Sequence, residues 1–99
     1  MRLIARRNLK AFGEKNPSAR AGVFHWAAVV ERAEWKTMSD VTNASSKAKS
    51  VGGDRVGFDV GQGNRLVAAF NFKAQICCVK FVGTHAEYDK IDAATVSMF

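Results

Sequence analysis

The chain has 99 residues, enough for one compact domain (residues 1–99) and too few for two independent cores. Lys and Arg number 15 against 9 Asp and Glu, a formal charge of +6 with a pI near 9.8, which favours polyanionic partners such as nucleic acid or an acidic protein. The longest nearly apolar stretch, Val23 to Val30, is broken by His25 and falls well short of the ~20 residues that span a bilayer, so no membrane partner is expected.

From the start of the chain, Met1 to Ala5 suits a short strand and Arg7 to Lys15 a first helix. That helix stops at Asn16-Pro17, because proline disfavours helical geometry in the residue before it. Arg2, Arg6, Arg7 and Lys10 imitate an organellar presequence, but the apolar residues between them are those a strand and helix require, so the segment is assigned to the domain. Ser18 is placed to cap a second helix, in which Val23, Trp26, Ala27, Val30 and Ala33 recur at helical spacing. Trp26 reads as core and His25 as an ordinary helix histidine. Thr37 to Ser50 is polar with weak periodicity, which predicts a short helical turn near Ser39 to Ala44 and then a connection.

From Arg55 the period changes to two. Val56, Phe58 and Val60 alternate with Arg55, Gly57 and Asp59, and Gly61-Gln62-Gly63 supplies a turn into a returning strand. The same three residues do not form a phosphate loop, since they join two strands and lack the Gly-Lys-Ser/Thr ending. If Val60 lies opposite Asn64, then Leu66, Ala68, Phe70 and Phe72 share a face with Val56, Phe58 and Val60. A second turn at Lys73-Ala74 adds Cys77, Val79 and Phe81 to that buried face. The other face carries Arg55, Asp59, Arg65, Asn71 and Lys80 among Val67, Ala69, Ile76, Cys78 and Val82, a mixture of cations and apolar area that marks a working surface. Cys77 and Cys78, the only cysteines, point to opposite faces, so neither a disulfide nor a metal pair is expected and the chain reads as cytoplasmic.

The densest chemistry lies in Gly83-Thr84-His85-Ala86-Glu87-Tyr88-Asp89-Lys90-Ile91-Asp92. Thr84 and Glu87 form a capping box, which starts a short helix with His85 in its first turn and brings His85, Tyr88 and Asp89 to one side. This block, with Arg55 to Gly61 and Arg65-Leu66-Val67, resembles the HigB toxins of type II toxin–antitoxin pairs, in the RelE-like superfamily. Trp26, Trp35-Lys36-Thr37 and Asp40-Val41 are weaker markers of the same likeness. The sequence departs from the family pattern at Gly57, where a larger strand residue is usual, and at Asn64, where an aromatic often precedes the arginine.

The resemblance implies an α+β, RelE-like fold: two N-terminal helices packed on an antiparallel sheet, with a short C-terminal helix. It also implies a ribosome-dependent endoribonuclease that cuts translated mRNA and is neutralised by a HigA-type antitoxin covering part of the basic sheet or last helix. Cleavage by the RNA's own 2′-hydroxyl needs no metal and no cofactor. It requires one group to take a proton, one to give a proton, and cations to stabilise the crowded phosphorus. An imidazole exchanges protons near neutral pH, which suits His85; Tyr88 can bond the 2′-hydroxyl or stack on a base, and Asp89 can orient His85. Arg65 and Lys80 can stabilise the phosphorane, although Arg65 also has an ordinary cross-strand partner in Asp59. Lys47, Lys49, Arg55, Lys73 and Lys90 fit contacts with the RNA backbone or ribosome. Two other readings remain open, a noncatalytic RNA or ribosome binder and an inactive antitoxin-binding subunit.

Overall fold

Strand β1 (Arg2–Ile4) leads into helix α1 (Arg6–Lys15), which buries Leu9 and Gly13, in the computed structural model that describes residues 1–99. Asn16 closes α1, its backbone N–H and side-chain amide donating to the Phe12 carbonyl at 2.9 and 3.1 Å. Pro17, with φ already near the helical value, then opens a tight 3-10 turn, Pro17–Ala19, ahead of helix α2 (Arg20–Arg32). Ser18 therefore sits inside that turn. The residue capping α2 is Ala19, with no side-chain bond, contrary to the expectation for Ser18. At the far end of α2 the Met1 amino group donates to the carbonyls of Val30 and Ala33 at 3.1 and 2.6 Å, a cation at the negative end of the helix.

Helix α3 (Met38–Ala44) starts at a capping box: Thr37 Oγ1 accepts from Asp40 N, and Asp40 Oδ2 accepts from Thr37 N, both at 3.2 Å. The connection expected next is instead a strand, β2 (Ala48–Gly52). Only Ala48 and Val51 in it are half-buried, so it carries almost no alternation of its own and is held by pairing to its neighbour. Strands β3 (Arg55–Gly61), β4 (Asn64–Asn71) and β5 (Ile76–Thr84) complete a five-stranded sheet in the order β1-β5-β4-β3-β2. The four later strands are antiparallel. β1 runs parallel to β5, Arg2 beside Ile76, so the sheet is mixed; a pairing between distant parts of the chain is not encoded by alternation within a strand.

The β3–β4 register is the expected one from Val56 to Asp59, with Val56 opposite Ala68, Phe58 opposite Leu66 and Asp59 opposite Arg65, but it shifts by one residue beyond Asp59, so that Asn64 lies opposite Gly61 and not opposite Val60 as expected. Side chains from α1, α2 and α3 (Leu9, Val23, Trp26, Ala27, Val30, Val41) meet Val56, Phe58, Leu66, Phe70, Cys77 and Val79 of the sheet in one buried cluster. Burying an aliphatic side chain of this size stabilises the fold by ~1.5–3 kcal/mol, so this layer holds the helices on the sheet. The β4–β5 pairing differs from expectation beyond Val79. Ala68 faces Val79 but Val67 faces Phe81, so Lys80 is an extra residue in a bulge. Beyond the bulge the faces exchange, and Val82 enters the core while Phe81 turns to the opposite side. Cys77 faces the core, where burial pushes its thiol up and away from the reactive thiolate.

Helix α4 (His85–Tyr88) follows β5 directly and begins at the expected capping box, Thr84 N donating to Glu87 Oε1 at 2.9 Å and Glu87 N to Thr84 Oγ1 at 3.2 Å. The chain after it crosses the sheet face away from the helices. Arg55 donates to the carbonyls of Ala93 and Val96, Ala94 lies against Gly52, and Met98 N donates to Lys80 O at 2.9 Å. No helix is long and apolar enough to cross a membrane.

Candidate active site on the open sheet face

The open face is ordered in rows that run across the strands. One row is Phe81, Val67, Gly57 and Lys49, from β5 to β2; the next is Gly83, Arg65 and Asp59, with Lys47 beside Asp59 through its carbonyl. A third row, Cys78, Ala69 and Arg55, lies where the C-terminal segment is tied down. That segment accounts for part of the apolar area assigned from sequence to a working surface, and its carbonyls accept from Arg55. In the first two rows Phe81, Val67, Gly57 and Gly83 are buried, while Lys47 and Lys49 are exposed and Arg65 and Asp59 partly so.

Tyr88 lies over the first row. Its ring packs on Phe81 with centroids 6.1 Å apart, and a Cβ at Gly57 would stand 3.2 Å from its hydroxyl. The glycine thus leaves room for the hydroxyl over the middle of the sheet, a use of mid-strand glycine that its position signals in principle. The bulge at Lys80 matters for the same reason, since without it Phe81 would face the core and Tyr88 would lose its support. Tyr88, Arg65, Lys47, Lys49, Asp59 and Gly57 line one groove of about 430 Å³. The missed strand β2 is what brings the two lysines there, because residues opposite Gly57 and Asp59 share their face.

Arg65 is held from two sides, its guanidinium donating to the Asn64 carbonyl at 3.1 Å and lying 3.3 Å from Asp59 Oδ1. The cross-strand pair read from sequence is therefore present, and a quarter of the arginine side chain remains exposed to the groove. Asn64 is buried, and its amide donates to the carbonyls of Gly61 and Gln62 at 3.1 and 3.2 Å, so this departure from the family pattern fixes the turn. Gly61, Gln62 and Gly63 all have positive φ, a conformation that needs such ties. The Gly63 carbonyl in turn accepts the His85 N–H at 2.7 Å, linking the turn to α4. Replacing Asn64 by Ala is expected to cost about 1–3 kcal/mol, since it removes two hydrogen bonds, worth ~0.5–1.5 kcal/mol each, from a buried side chain to the turn carbonyls. Urea unfolding reads the loss, and an unchanged midpoint would show that the turn holds itself.

The remaining candidates are dispersed. The His85 ring is more than half exposed beside α4, with Nε2 3.6 Å from Asp89 Oδ2, and does not line the groove. Lys80 borders a separate cleft with Arg7, Asn8 and Phe99, on the β1 side of the sheet. Lys73 lies in the β4–β5 turn at the other end of the sheet from Arg65, and Lys90 is exposed just after α4. No group of His, Cys, Asp and Glu side chains is assembled that could hold a metal ion.

A basic groove roofed by a short terminal helix, on a sheet backed by helices, is the arrangement of a small RelE-like α+β protein. Residues 19–91, from the 3-10 turn before α2 to just past α4, match the family model of the HigB toxin, described as the RelE-like toxic component of a toxin–antitoxin system. The chain belongs to that family, whose members act beside an antitoxin partner. No curated protein matches the chain.

Proposed function

We propose that this protein is a ribosome-dependent endoribonuclease toxin that cuts translated mRNA in the cytoplasm, with residues 1–99 acting as one toxin domain. The carrying observation is the groove that gathers Arg65, Lys47 and Lys49 around the Tyr88 hydroxyl. A phosphodiester lying along the second row meets the guanidinium, whose planar fork suits two phosphate oxygens. Lys47 and Lys49 add positive charge on the β2 side, which favours the crowded dianionic phosphorus over the ground state. Tyr88 reaches in from the opposite wall to bond the 2′-hydroxyl or the leaving oxygen. His85, with Asp89 as its orienting partner, serves as the proton-transfer group, and α4 has to carry its ring toward the substrate when the mRNA is seated. Lys80 takes no part in this version of the site. A HigA-type antitoxin neutralises the protein by covering the basic groove or α4, where Lys47, Lys49 and Lys90 leave positive charge exposed.

Inducing the chain in a bacterium without its partner is expected to arrest growth and to create new mRNA 5′ ends inside translated codons. Tyr88→Phe, which keeps the packing on Phe81 and removes only the hydroxyl, and His85→Ala are each expected to remove most of those ends, by about 10²-fold or more for a proton-transfer group. Growth arrest without new ends would favour a noncatalytic ribosome binder, and a harmless intact protein an inactive antitoxin-binding subunit.

A further inference from the structure

Four large hydrophobic side chains of the molecule are exposed, and three of them, Ile4, Met98 and Phe99, meet at one corner away from the basic groove. Ile4 and Phe99, 38 % and 39 % exposed, line the cleft at the β1 edge of the sheet. Met98, 56 % exposed, precedes Phe99, and its N–H ties the segment to the Lys80 carbonyl. Single exposed apolar residues are ordinary, but apolar side chains gathered in one place and rimmed by charge mark an interaction surface. The same cleft, about 330 Å³, is lined by Arg7 and Lys80 and by no acid. The three ion pairs of the molecule lie elsewhere, so both cations are without an acidic partner. The surrounding chain strengthens that field. Within residues 1–18, Arg2, Arg6, Arg7, Lys10 and Lys15 stand against Glu14 alone, and of these cations only Arg6 is paired.

We infer that this corner is a docking surface for an acidic segment of the antitoxin, which sets an apolar side chain against Ile4, Met98 and Phe99 and a carboxylate beside Arg7 and Lys80. The inference rests on the antitoxin reading above and extends it. A partner that covers α4 continues along the C-terminal segment, which leads from α4 across the sheet to this cleft. Ile4, Arg7, Met98 and Phe99 all lie outside residues 19–91, so the corner is no part of what the family match describes. Charge and apolar area together select the class of partner. A nucleic-acid backbone would meet the two cations but leave Ile4 and Met98 in water, and neither of these offers a ring on which a base stacks. An acidic peptide with an apolar side chain meets both, and opposite charge steers its approach.

The probe is a short synthetic peptide of glutamates carrying one leucine, set against the same peptide with serine in place of the leucine, a single-stranded RNA, and vesicles of anionic phospholipid. Methyl resonances of Ile4 and Met98 report the corner, and the backbone amides of Lys47 and Lys49 report the groove. The leucine peptide is expected to move both methyls and to bind about tenfold or more tighter than the serine peptide, the worth of burying one such side chain. The double variant Arg7→Glu, Lys80→Glu, shown to be folded by its thermal melt, is expected to lose the methyl response to the peptide. Peptides that move the Lys47 and Lys49 amides while both methyls stay fixed would overturn the corner and leave an antitoxin over the groove standing. Equal binding of the two peptides would overturn the apolar dock. Methyls that move with the RNA or the vesicles but not with the leucine peptide would assign the corner to nucleic acid or to a membrane surface and end the inference. No response to either peptide at corner or groove would overturn the inference together with the antitoxin reading beneath it.

Discussion

Replacing Arg65 by Ala is expected to slow mRNA cleavage by about 10²–10³-fold, the usual cost of removing one preorganised group that stabilises developing charge. The fold should survive, because the pair with Asp59 is partly exposed on both sides and such pairs contribute only ~0–1 kcal/mol. The competing explanation is that Arg65 merely braces β3 against β4. Asp59→Ala separates the two, since it breaks the same pair from the other side while leaving the guanidinium in the groove. A bracing role predicts that both variants behave alike. A role at phosphorus predicts that only Arg65→Ala loses cleavage, and that Arg65→Lys, which keeps charge but not the planar fork, recovers part of it. Single-turnover cleavage of a translated message measures the rates, and thermal melts confirm that all three variants are folded.

The parts of this site that could be read from sequence are those written in local pattern. Val56 to Val60 and Leu66 to Phe72 alternate cleanly about a glycine-rich turn, so their pairing as far as Arg65 opposite Asp59 follows from period, whereas the shift that seats Gly61 opposite Asn64 and leaves a two-residue turn does not. The capping boxes are equally local, and Thr84 with Glu87 starts α4 where spacing places it. What was missed depends on distant partners. Strand β2 exists because β3 offers it an edge, and its own residues are nearly all polar. Phe81 and Val82 are both large and apolar, so nothing in their order reveals that a bulge at Lys80 exchanges their faces. Gly57 departs from the family pattern, and what the sequence does not reveal is that its missing side chain makes room for the Tyr88 hydroxyl. The C-terminal segment has no period at all, and its place over the sheet is set by the carbonyls that Arg55 gathers.

The seat of α2 on the sheet depends on how closely the helix approaches β3, and the largest stability effect is expected there. A Cβ added at Gly22 would lie 1.9 Å from the Val60 carbonyl oxygen, a backbone atom that cannot swing aside as a side-chain tip can. Alanine in a helix is otherwise better than glycine by ~1 kcal/mol, so propensity alone would predict stabilisation. The clash dominates, because relieving it requires α2 to move away from β3 and loosens Val23 and Trp26 against Phe58 in the core. Gly22→Ala is therefore expected to destabilise the protein by a net of about 2–4 kcal/mol, allowing for the propensity gain. Gly13→Ala in α1 is the control. The added carbon there would meet Arg20 at 3.4 Å, an ordinary contact, so the same change should be neutral or stabilise by up to ~1 kcal/mol. Urea midpoints of the two variants should therefore move in different directions or by clearly different amounts. A Gly22→Ala midpoint at or above that of the parent protein would mean that α2 does not approach β3 this closely, and the packing of Val23 and Trp26 against Phe58 would have to be redrawn.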